Sequence, residues 1–308
     1  MTSGSHALVT GGAGFIGSHL TRALLARGQR VTVLDNFSVG RREAVPYDAR
    51  IIDGDVRDAA AVARALRNVD VVFHLAAQVT IRGSFDRFYD DLDTNVMGTA
   101  QLLRALNPAV VRRVVFASSM AVYADAPSPA PIDERHPTTP QSPYGVGKLA
   151  AESVARQVLA GRGVPLTAVR YFNTFGPGQT YTPYVGVITI FLTRLLRGEA
   201  PVIFGDGEQQ RDFVHVDDIV AGTIAGATGE PGTYNLGSGR GTSLNQLATL
   251  LCGALGVAPS PRHEAAQPGE LRFSVADISA ARRRLGYEPT RTLTADLSGV
   301  IADIRGRW

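Results

Sequence analysis

The sequence contains a single cysteine, Cys252, among its 308 residues. An intramolecular disulfide is therefore excluded, a reducing compartment is indicated, and the apolar neighbours of Cys252 predict a position in the core. The sequence also lacks an apolar run long enough to cross a bilayer, and its first residues lack the basic and apolar segments of a signal peptide. We therefore expect a cytoplasmic protein with no membrane partner.

The sequence also lacks a large excess of positive or negative charge. The 31 lysines and arginines nearly balance the 28 aspartates and glutamates, which gives a formal net charge of +3. The charges alternate in sign along the chain, whereas a nucleic-acid-binding surface needs a cluster of Lys and Arg. We therefore expect no nucleic-acid partner. The 44% of apolar residues is typical of a soluble globular chain.

The first half of the sequence does contain a regular alternation of two patterns. Short runs rich in β-branched residues indicate strands, and segments with helical apolar spacing lie between them. Strands are predicted at 6–11, 30–35, 50–55, 69–76, 111–118 and 164–172, and helices at 15–27, 59–67, 93–106 and 143–160. Near-continuous apolar strands that alternate with helices indicate an α/β fold, a doubly wound parallel sheet of the Rossmann type.

The alternation ends after Arg170. A long segment rich in Gly, Pro, Asn and Thr follows, and long loops in compact domains are usually functional. We expect residues 1–172 to form a cofactor-binding Rossmann domain, to which residues 212–237 return. Residues 173–211 and 238–308 are expected to form a smaller, partly discontinuous C-terminal lobe that binds the substrate.

A glycine-rich stretch follows the first predicted strand and opens the first predicted helix. In this stretch, LVTGGAGFIGSHL, Gly11 suits a tight turn, Gly14 the close approach of backbone to a diphosphate, and Gly17 the packing of helix on strand. Asp35 ends the second predicted strand 18 residues after Gly17, near the spacing expected of a carboxylate that binds a ribose diol. The pattern predicts a dinucleotide site, and a carboxylate at this place favours NAD over NADP.

Two features near Asp35 leave alternatives open. Arg41 and Arg42 lie close by in the sequence and would suit the 2′-phosphate of NADP. Asp55, at the end of the third predicted strand, would either contact the adenine amine or serve as an ordinary turn residue.

A second pattern places Tyr144 and Lys148 four residues apart in a predicted helix, so both side chains share one face. A phenol is a poor base at neutral pH, but a nearby ammonium group and a cationic nicotinamide ring would stabilise its phenolate. Tyr144 would then remove a hydroxyl proton while hydride leaves for NAD, and Ser119 would hydrogen-bond the same oxygen. A tyrosine packed on a lysine side chain is a common alternative, but the glycine-rich turn and a serine at a strand end favour catalysis.

Many motifs, in order, make the chain resemble the extended short-chain dehydrogenase/reductase family, the nucleotide-sugar epimerases and dehydratases. They are TGGAGFIG, LDNFS, GDVRD, HLAAQ, NVMGT, ASSMAVY, YGVGK, RYFNTFGPGQ and FGDGEQQRDFVHVDD, with NLGSGRGTS and PGELRFSVAD beyond them. The resemblance implies a tightly held NAD and a UDP- or TDP-linked hexose that is oxidised at C4, with Ser119, Tyr144 and Lys148 in the roles given above. It also implies a homodimer that pairs through the helices near 93–106 and 143–160.

The resemblance implies further contacts for both ligands. Those to NAD are Gly11, Gly14, Phe15, Ile16, Gly17, Asp35, Asn36, Asp55, Val56, Leu75, Ala76, Ala77, Asn95, Ser118, Tyr144, Lys148 and Tyr171. Those to the sugar nucleotide are Thr80, Ser119, Asn173, Val187, Ile188, Arg211 and Ser274. A guanidinium group at Arg211 would suit bidentate contact with a phosphate. The alternative for Arg211 is an ion pair with Asp212, Asp217 or Asp218.

The chain departs from the family pattern at Gln267. Many relatives carry a second diphosphate-binding arginine just before the Pro-Gly-acid turn, so here only Arg211 and Arg272 would remain for the diphosphate. Ser274 aligns with a position that limits substrate size in these epimerases. A small residue there would admit a 2-N-acetyl group, which makes UDP-N-acetylglucosamine a suitable substrate.

Met120 and Ala121 occupy the places where the 4,6-dehydratase branch carries an acid pair for proton transfer at C5 and C6. Neither side chain transfers protons, so hydride taken from C4 is expected to return to C4. One outcome is 4-epimerisation, which the lack of an acid favours. The other is loss of water across C5 and C6, and here the whole sequence resembles the UDP-N-acetylglucosamine 5,6-dehydratases of tunicamycin-type antibiotic pathways.

Between these outcomes we favour the 5,6-dehydratase, in which Met120 would keep the C6 position dry, although Met120 would equally suit simple core filling. A third class, a non-catalytic NAD-binding regulator, would have little reason to keep Ser119, Tyr144 and Lys148 together.

Overall fold

The computed structural model describes residues 4–181, 186–258, 260–266 and 271–307. Its main sheet has seven strands, and every pairing between them is parallel. These strands are β1 (His6–Thr10), β2 (Arg30–Asp35), β3 (Arg50–Asp53), β4 (Val71–His74), β5 (Arg113–Ser119), β6 (Leu166–Tyr171) and β10 (Gly232–Leu236). They lie in the order β10-β6-β5-β4-β1-β2-β3, so the strand order reverses between β1 and β4. The predicted doubly wound α/β sheet is confirmed.

Helices cover both faces of this sheet because successive residues of each strand point to opposite sides. The helices are α1 (Phe15–Ala26), α2 (Ala59–Ala65), α3 (Phe88–Leu92), α4 (Gly98–Ala105), α5 (Pro143–Gly161) and α7 (Val216–Gly226). Ala7 and Val9 of β1 join the core under α1 and α7, whereas Leu8 between them joins the core under α2, α4 and α5. The predicted helix at 93–106 differs from the observed helices, since its first turn, Asp93–Met97, is π-helical and follows the short helix α3 directly.

The rest of the chain forms two small sheets and a third core. A four-stranded sheet contains β7 (Asn173–Phe175), β9 (Gln210–His215), β11 (Gly241–Ser243) and β13 (Phe273–Ser274), and β8 (Val202–Phe204) pairs with β12 (Arg262–Glu264). The helices here are α6 (Val187–Leu196), α8 (Leu244–Leu255), α9 (Ser279–Leu285) and α10 (Leu293–Arg305). Cys252 is buried in α8, as its neighbours predict. The division of the chain into a cofactor domain and a substrate lobe stays a prediction.

Candidate active site

A cavity of about 730 Å³ opens at the carboxyl ends of the central strands, where the strand order reverses. In open α/β sheets, ligands bind at this reversal point. One end of the cavity is formed by the glycine-rich turn after β1 and by the ends of β2 and β3. The other end reaches α6 and strands β8 and β9, and the ends of β4, β5 and β6 lie between the two. One continuous cavity therefore joins the glycine-rich turn to the elements outside the main sheet.

The glycine-rich turn has room only for glycine at two places. A Cβ atom on Gly11, whose φ is +71°, would lie 2.8 Å from the backbone nitrogen of Ala76, and one on Gly17 would lie 2.0 Å from the carbonyl oxygen of Gly11. No side chain caps α1 at Gly14, so the N–H groups of its first turn remain available to an anion. A cradle that a Cβ atom would fill, beside an uncapped helix N-terminus, fits the diphosphate of NAD.

Asp35 is fixed at the rim of this turn by the backbone. Its Oδ2 atom accepts a hydrogen bond from Ala13 N at 2.9 Å and its Oδ1 atom accepts one from Phe37 N at 2.8 Å. Arg42, in contrast, pairs with Asp53 and lies over the ring of Phe37. The negative charge faces the cavity while the guanidinium of Arg42 is engaged elsewhere, which suits NAD. Arg41, the other arginine near Asp35, lines the cavity.

The Asp55 carboxylate is held by hydrogen bonds from two neighbouring side chains. Arg57 donates hydrogen bonds to both of its oxygens, and Asn36 Nδ2 donates to Oδ2 at 2.8 Å. The Arg57 hydrogen bond, followed by weaker contributions that include Asn36, lowers the pKa of Asp55 to about 2. Asp55 therefore stays ionised and holds Asn36 at the wall of the cavity.

The structure brings most of the predicted ligand contacts to this one cavity. On the NAD side it is lined by Phe15, Ile16, Val56, Leu75, Ala76, Ala77, Ser118 and Tyr171, and on the substrate side by Thr80, Asn173, Val187, Ile188 and Arg211. Two predicted residues lie behind its wall. Asn95 is buried and exchanges hydrogen bonds with the backbone of Gln78, and Ser274 is fully buried in β13 opposite Arg211 of β9. Neither residue lines the cavity, and contact of either with a ligand stays a prediction.

The two arginines predicted to bind the substrate diphosphate differ in their surroundings. Arg211 lines the cavity, and the acids proposed as its alternative partners are held by other groups: Asp212 by Ser238, Asp217 by Arg291 and Asp218 by Thr290. Arg272 forms a bidentate ion pair with Asp206 at 2.6 and 2.9 Å. Gln267 lies outside the described residues.

Ser119 and Tyr144 meet at the middle of the cavity. Ser119 ends β5, and its Oγ accepts a hydrogen bond from Ala121 N at 3.2 Å, which caps the short helical turn Met120–Val122. Tyr144 lies in the first turn of α5, which begins after the N-cap Ser142 and Pro143. Burial raises the pKa of Tyr144 to about 12, and the neighbouring Ser119 hydroxyl opposes the rise. Stabilisation of the phenolate by Lys148 and the nicotinamide ring together stays a prediction.

Lys148 follows one turn later and is buried as well. Its Nζ lies 4.6 Å from the centre of the Phe116 ring. Burial lowers the pKa of Lys148 to about 8, while the charges of Asp91 and Glu152 act in the opposite direction. Lys148 is the only lysine of the chain, among 31 basic residues. A lysine buried in this way points to function, since burying an ammonium group costs stability.

The residues after Ser119 are apolar and lie at the wall of the cavity. Met120 and Ala121 are both buried there, and neither can transfer a proton. Among the described residues, the carboxylates that line the cavity are Asp35 and Asp55, at the glycine-rich end. The end near α6 therefore offers hydroxyl, amide, apolar and arginine side chains, but no carboxylic acid or histidine from the described part of the chain.

The structure also reveals buried acids that sequence reasoning missed, Asp91 and Glu152. Glu152 pairs with Arg170 at 2.8 Å and accepts a hydrogen bond from Ser118 at 2.7 Å. The sequence does hold a signal for both: Glu152 is four residues after Lys148, and Asp91 is four residues before Asn95, so each shares a helix face with a predicted site residue.

Comparison with known proteins agrees with this site. The model of the NAD dependent epimerase/dehydratase family matches residues 7–237. The UDP-glucose 4-epimerase of Mycolicibacterium smegmatis is 35% identical over 312 residues, covering 97% of this chain and 98% of the relative. The UDP-glucose 4-epimerase of Thermotoga maritima, solved with UDP-glucose, superposes with a TM-score of 0.94 at 35% identity, covering 98% of this chain and 99% of the other.

A further solved structure is the UDP-N-acetylglucosamine 4-epimerase of Methanobrevibacter ruminantium, in complex with UDP-N-acetylmuramic acid. It superposes with a TM-score of 0.93 at 32% identity, covering 100% of this chain and 100% of the other. The predicted cofactor, NAD, is confirmed by the family. That the glycine-rich turn and Asp35 hold it stays a prediction. The chain belongs to the NAD-dependent epimerase/dehydratase family.

Proposed function

We propose that the chain inverts C4 of a UDP-linked hexose by oxidising that carbon transiently and reducing it on the opposite face. Bound NAD supplies the acceptor and later donor of the hydride. Support comes from the UDP-glucose 4-epimerases to which the chain is similar over nearly its full length. The geometry agrees, because Ser119, Tyr144 and Lys148 lie between the predicted NAD end and the substrate end of one cavity.

Each catalytic side chain has a role that its surroundings support. Tyr144 removes the proton of the C4 hydroxyl and returns it when the ketone is reduced. Ser119, which lines the cavity together with Tyr144, donates to the same substrate oxygen and stabilises the charge that develops there. Lys148 supplies a positive charge that lowers the cost of forming the phenolate in a buried site.

The observation that carries this proposal is the chemistry of the wall after Ser119. Elimination at C5 and C6 needs one group to remove the C5 proton and another to protonate the leaving hydroxyl. Met120 and Ala121 do neither, and the carboxylates lining the described cavity, Asp35 and Asp55, lie at its other end. Inversion at C4 needs only the tyrosine and the cofactor, together with space for the sugar to turn.

A second candidate is the 5,6-elimination that the whole-sequence resemblance favoured. Its support is Met120, a large apolar side chain that lines the cavity directly beside Ser119. Such a side chain would exclude water from C6. The comparisons favour the 4-epimerase, and we therefore place elimination second.

We further propose UDP-glucose and UDP-N-acetylglucosamine as the sugars to test first. The T. maritima structure contains UDP-glucose, and the M. ruminantium relative is named for UDP-N-acetylglucosamine. Arg211, Asn173 and the start of α6 would hold the nucleotide diphosphate, and Thr80 would face the sugar.

The proposal includes a cytoplasmic homodimer. Five large apolar side chains are exposed on the segment that includes α3 and the start of α4, and on the neighbouring α5: Phe85, Phe88, Tyr89, Met97 and Val146. A patch of this kind on one face marks an interface. It coincides with the two helices that the family resemblance predicts at the interface.

The experiment is to incubate each sugar nucleotide with the purified protein and NAD, and to follow products by chromatography and mass spectrometry. A new peak of unchanged mass supports 4-epimerisation, and a product lighter by one water molecule supports elimination. Tyr144→Phe is the control: it should retain NAD and lose turnover by about 10²- to 10⁴-fold, the usual contribution of a general base. Wild-type protein that converts neither sugar, nor any other nucleotide-linked hexose, would contradict the proposal.

A further inference from the structure

Asp91 is a buried carboxylate to which the proposed chemistry gives no role. It lies in α3 and is 2% exposed. Its Oδ1 atom accepts a hydrogen bond from Asn95 Nδ2 at 2.9 Å, whereas Oδ2 is buried without a hydrogen-bond partner among the described residues. Leaving a carboxylate oxygen buried and unpaired costs free energy, so a charge nearby must compensate if the group is to stay ionised.

The compensating charge comes from the catalytic helix. A Cβ atom on Gly147 would lie 3.1 Å from Asp91 Oδ1, so the carboxylate rests against bare backbone of α5 between Tyr144 and Lys148. Burial raises the pKa of Asp91 to about 6, and the Asn95 hydrogen bond and the charge of Lys148 oppose this rise. Asp91 and Lys148 form no direct ion pair, and their attraction acts through the low-dielectric space between them.

The other titratable groups around Lys148 are either uncharged or already ion-paired with another residue. Burial, together with the charge of Lys148, lowers the pKa of His74 to about 3, and this neutral ring is hydrogen-bonded by Thr10 and Thr99. Glu152 is ion-paired with Arg170 on its far side. Asp91, in contrast, has no arginine partner among the described residues, and its carboxylate lies against Gly147 of α5.

We propose that Asp91 is a positioning residue for the redox step: its carboxylate is the buried counter-charge that keeps the Lys148 ammonium protonated beside Tyr144. This role rests on the proposed function, since it presumes that Tyr144 and Lys148 carry out the C4 chemistry. The hydrogen bond to Asn95 fixes the carboxylate in place, and the glycine at 147 admits it.

The sign of the effect follows from charge alone. Removing a negative charge lowers the pKa of a neighbouring ammonium group and also that of a neighbouring phenol. In Asp91→Asn, an amide of nearly the same shape, both Lys148 and Tyr144 should titrate at lower pH. The pH–activity profile should therefore move to lower pH on both sides by about one unit.

Because Lys148 is the chain's only lysine, its titration can be read directly. The test uses NAD-loaded protein labelled with ¹³Cε-lysine, which gives one side-chain signal in the NMR spectrum. The midpoint should fall by about one pH unit in Asp91→Asn. It should not change in Asp90→Asn, which alters the next residue of α3, an exposed aspartate paired with Arg87. Equal midpoints in wild type and Asp91→Asn would overturn the proposal.

Two further readouts keep the test valid if Asp91→Asn does not fold or if the proposed reaction is wrong. In the wild type the lysine signal should also shift near pH 6, where Asp91 ionises, and its absence there would overturn the proposal even if Asp91→Asn does not fold. A loss of activity in Asp91→Asn that is uniform at every pH would mean a merely structural role. The NMR titration needs no substrate, so it separates this proposal from the proposed reaction.

Discussion

A Cβ atom on Gly145 would lie 2.2 Å from the carbonyl oxygen of Ala121. Helix α5 therefore touches the turn after β5 through bare backbone at the residue next to Tyr144. Because Ser119 caps that same turn, the contact between Gly145 and Ala121 sets the distance between the serine and the tyrosine. The glycine in the YGVGK motif is thus a spacing element of the site.

Gly145→Ala should force α5 away from this turn. A displacement near 1 Å is expected to lower turnover about 100-fold, because proton transfer and hydrogen bonding need fixed distances. NAD binding should be retained, since the glycine-rich turn lies elsewhere. Steady-state kinetics and NAD titration measure the two effects. Gly161→Ala is the matched control on α5, where an added Cβ meets nothing within 4 Å; full activity in both variants would contradict this account.

Lys148 should make stability depend on pH in a predictable direction. Its pKa in the folded protein, about 8, lies below its ordinary value of 10.5, because burial disfavours the charged form. Between these pH values unfolding takes up a proton, so the free energy of unfolding rises with pH through this window and the cost of burial is full below it. Lys148→Met lacks this titration.

The free energy of unfolding of NAD-free wild type, relative to that of Lys148→Met, should therefore rise by up to about 3 kcal/mol from pH 8 to 10.5. Denaturant unfolding at a series of pH values measures it. A difference that stays constant over this range would show that the ammonium group is not buried at a cost.

Asp35 should determine both the affinity for NAD and the discrimination against NADP. Asp35→Asn removes the charge while keeping the shape, and loss of a hydrogen bond to a charged group is expected to weaken NAD binding about 10-fold or more. NADP binding should improve, because a repelling carboxylate is gone. Calorimetry with both cofactors gives the ratio. Asp53→Asn, one strand away and paired with Arg42, is the comparison variant and should alter NAD binding little.

The apolar patch on α3 predicts a mutation that separates subunits. The double variant Phe88→Arg and Tyr89→Arg places two charges in the patch, where burial against a partner would be costly. Light scattering should show a dimer for wild type and a monomer for the variant. Tyr47→Arg, at a fully exposed tyrosine on another surface, should leave the dimer intact. A monomeric wild type would contradict the proposed assembly.

Much of the site could be predicted from sequence because its signals are local. The turn glycines, Asp35, Ser119, Tyr144 and Lys148 each follow from a strand end or a helical spacing, and the structure brings all of them to one cavity.

What the sequence could not give depends on packing between distant segments. Asp90, Asp91 and Asp93 are chemically alike, and it is the packing of Asp91 against Gly147 of α5 that sets it apart. Spacing likewise shows that Lys148 lies near Tyr144 but not how deeply the phenol is buried, and this burial raises the pKa of Tyr144. The π-helical turn that aims Asn95 at Gln78 likewise has no signature in the apolar spacing.

The central claim, hydride removed from and returned to C4 without proton exchange at carbon, is tested most directly by running the reaction in D₂O. UDP-glucose and UDP-N-acetylglucosamine are incubated with the protein and NAD, and the products are separated and weighed by mass spectrometry. We predict an epimer whose carbon-bound hydrogens carry no deuterium, because the hydride never leaves the closed site. A product lighter by one water molecule, or an epimer with deuterium on carbon, would contradict the account.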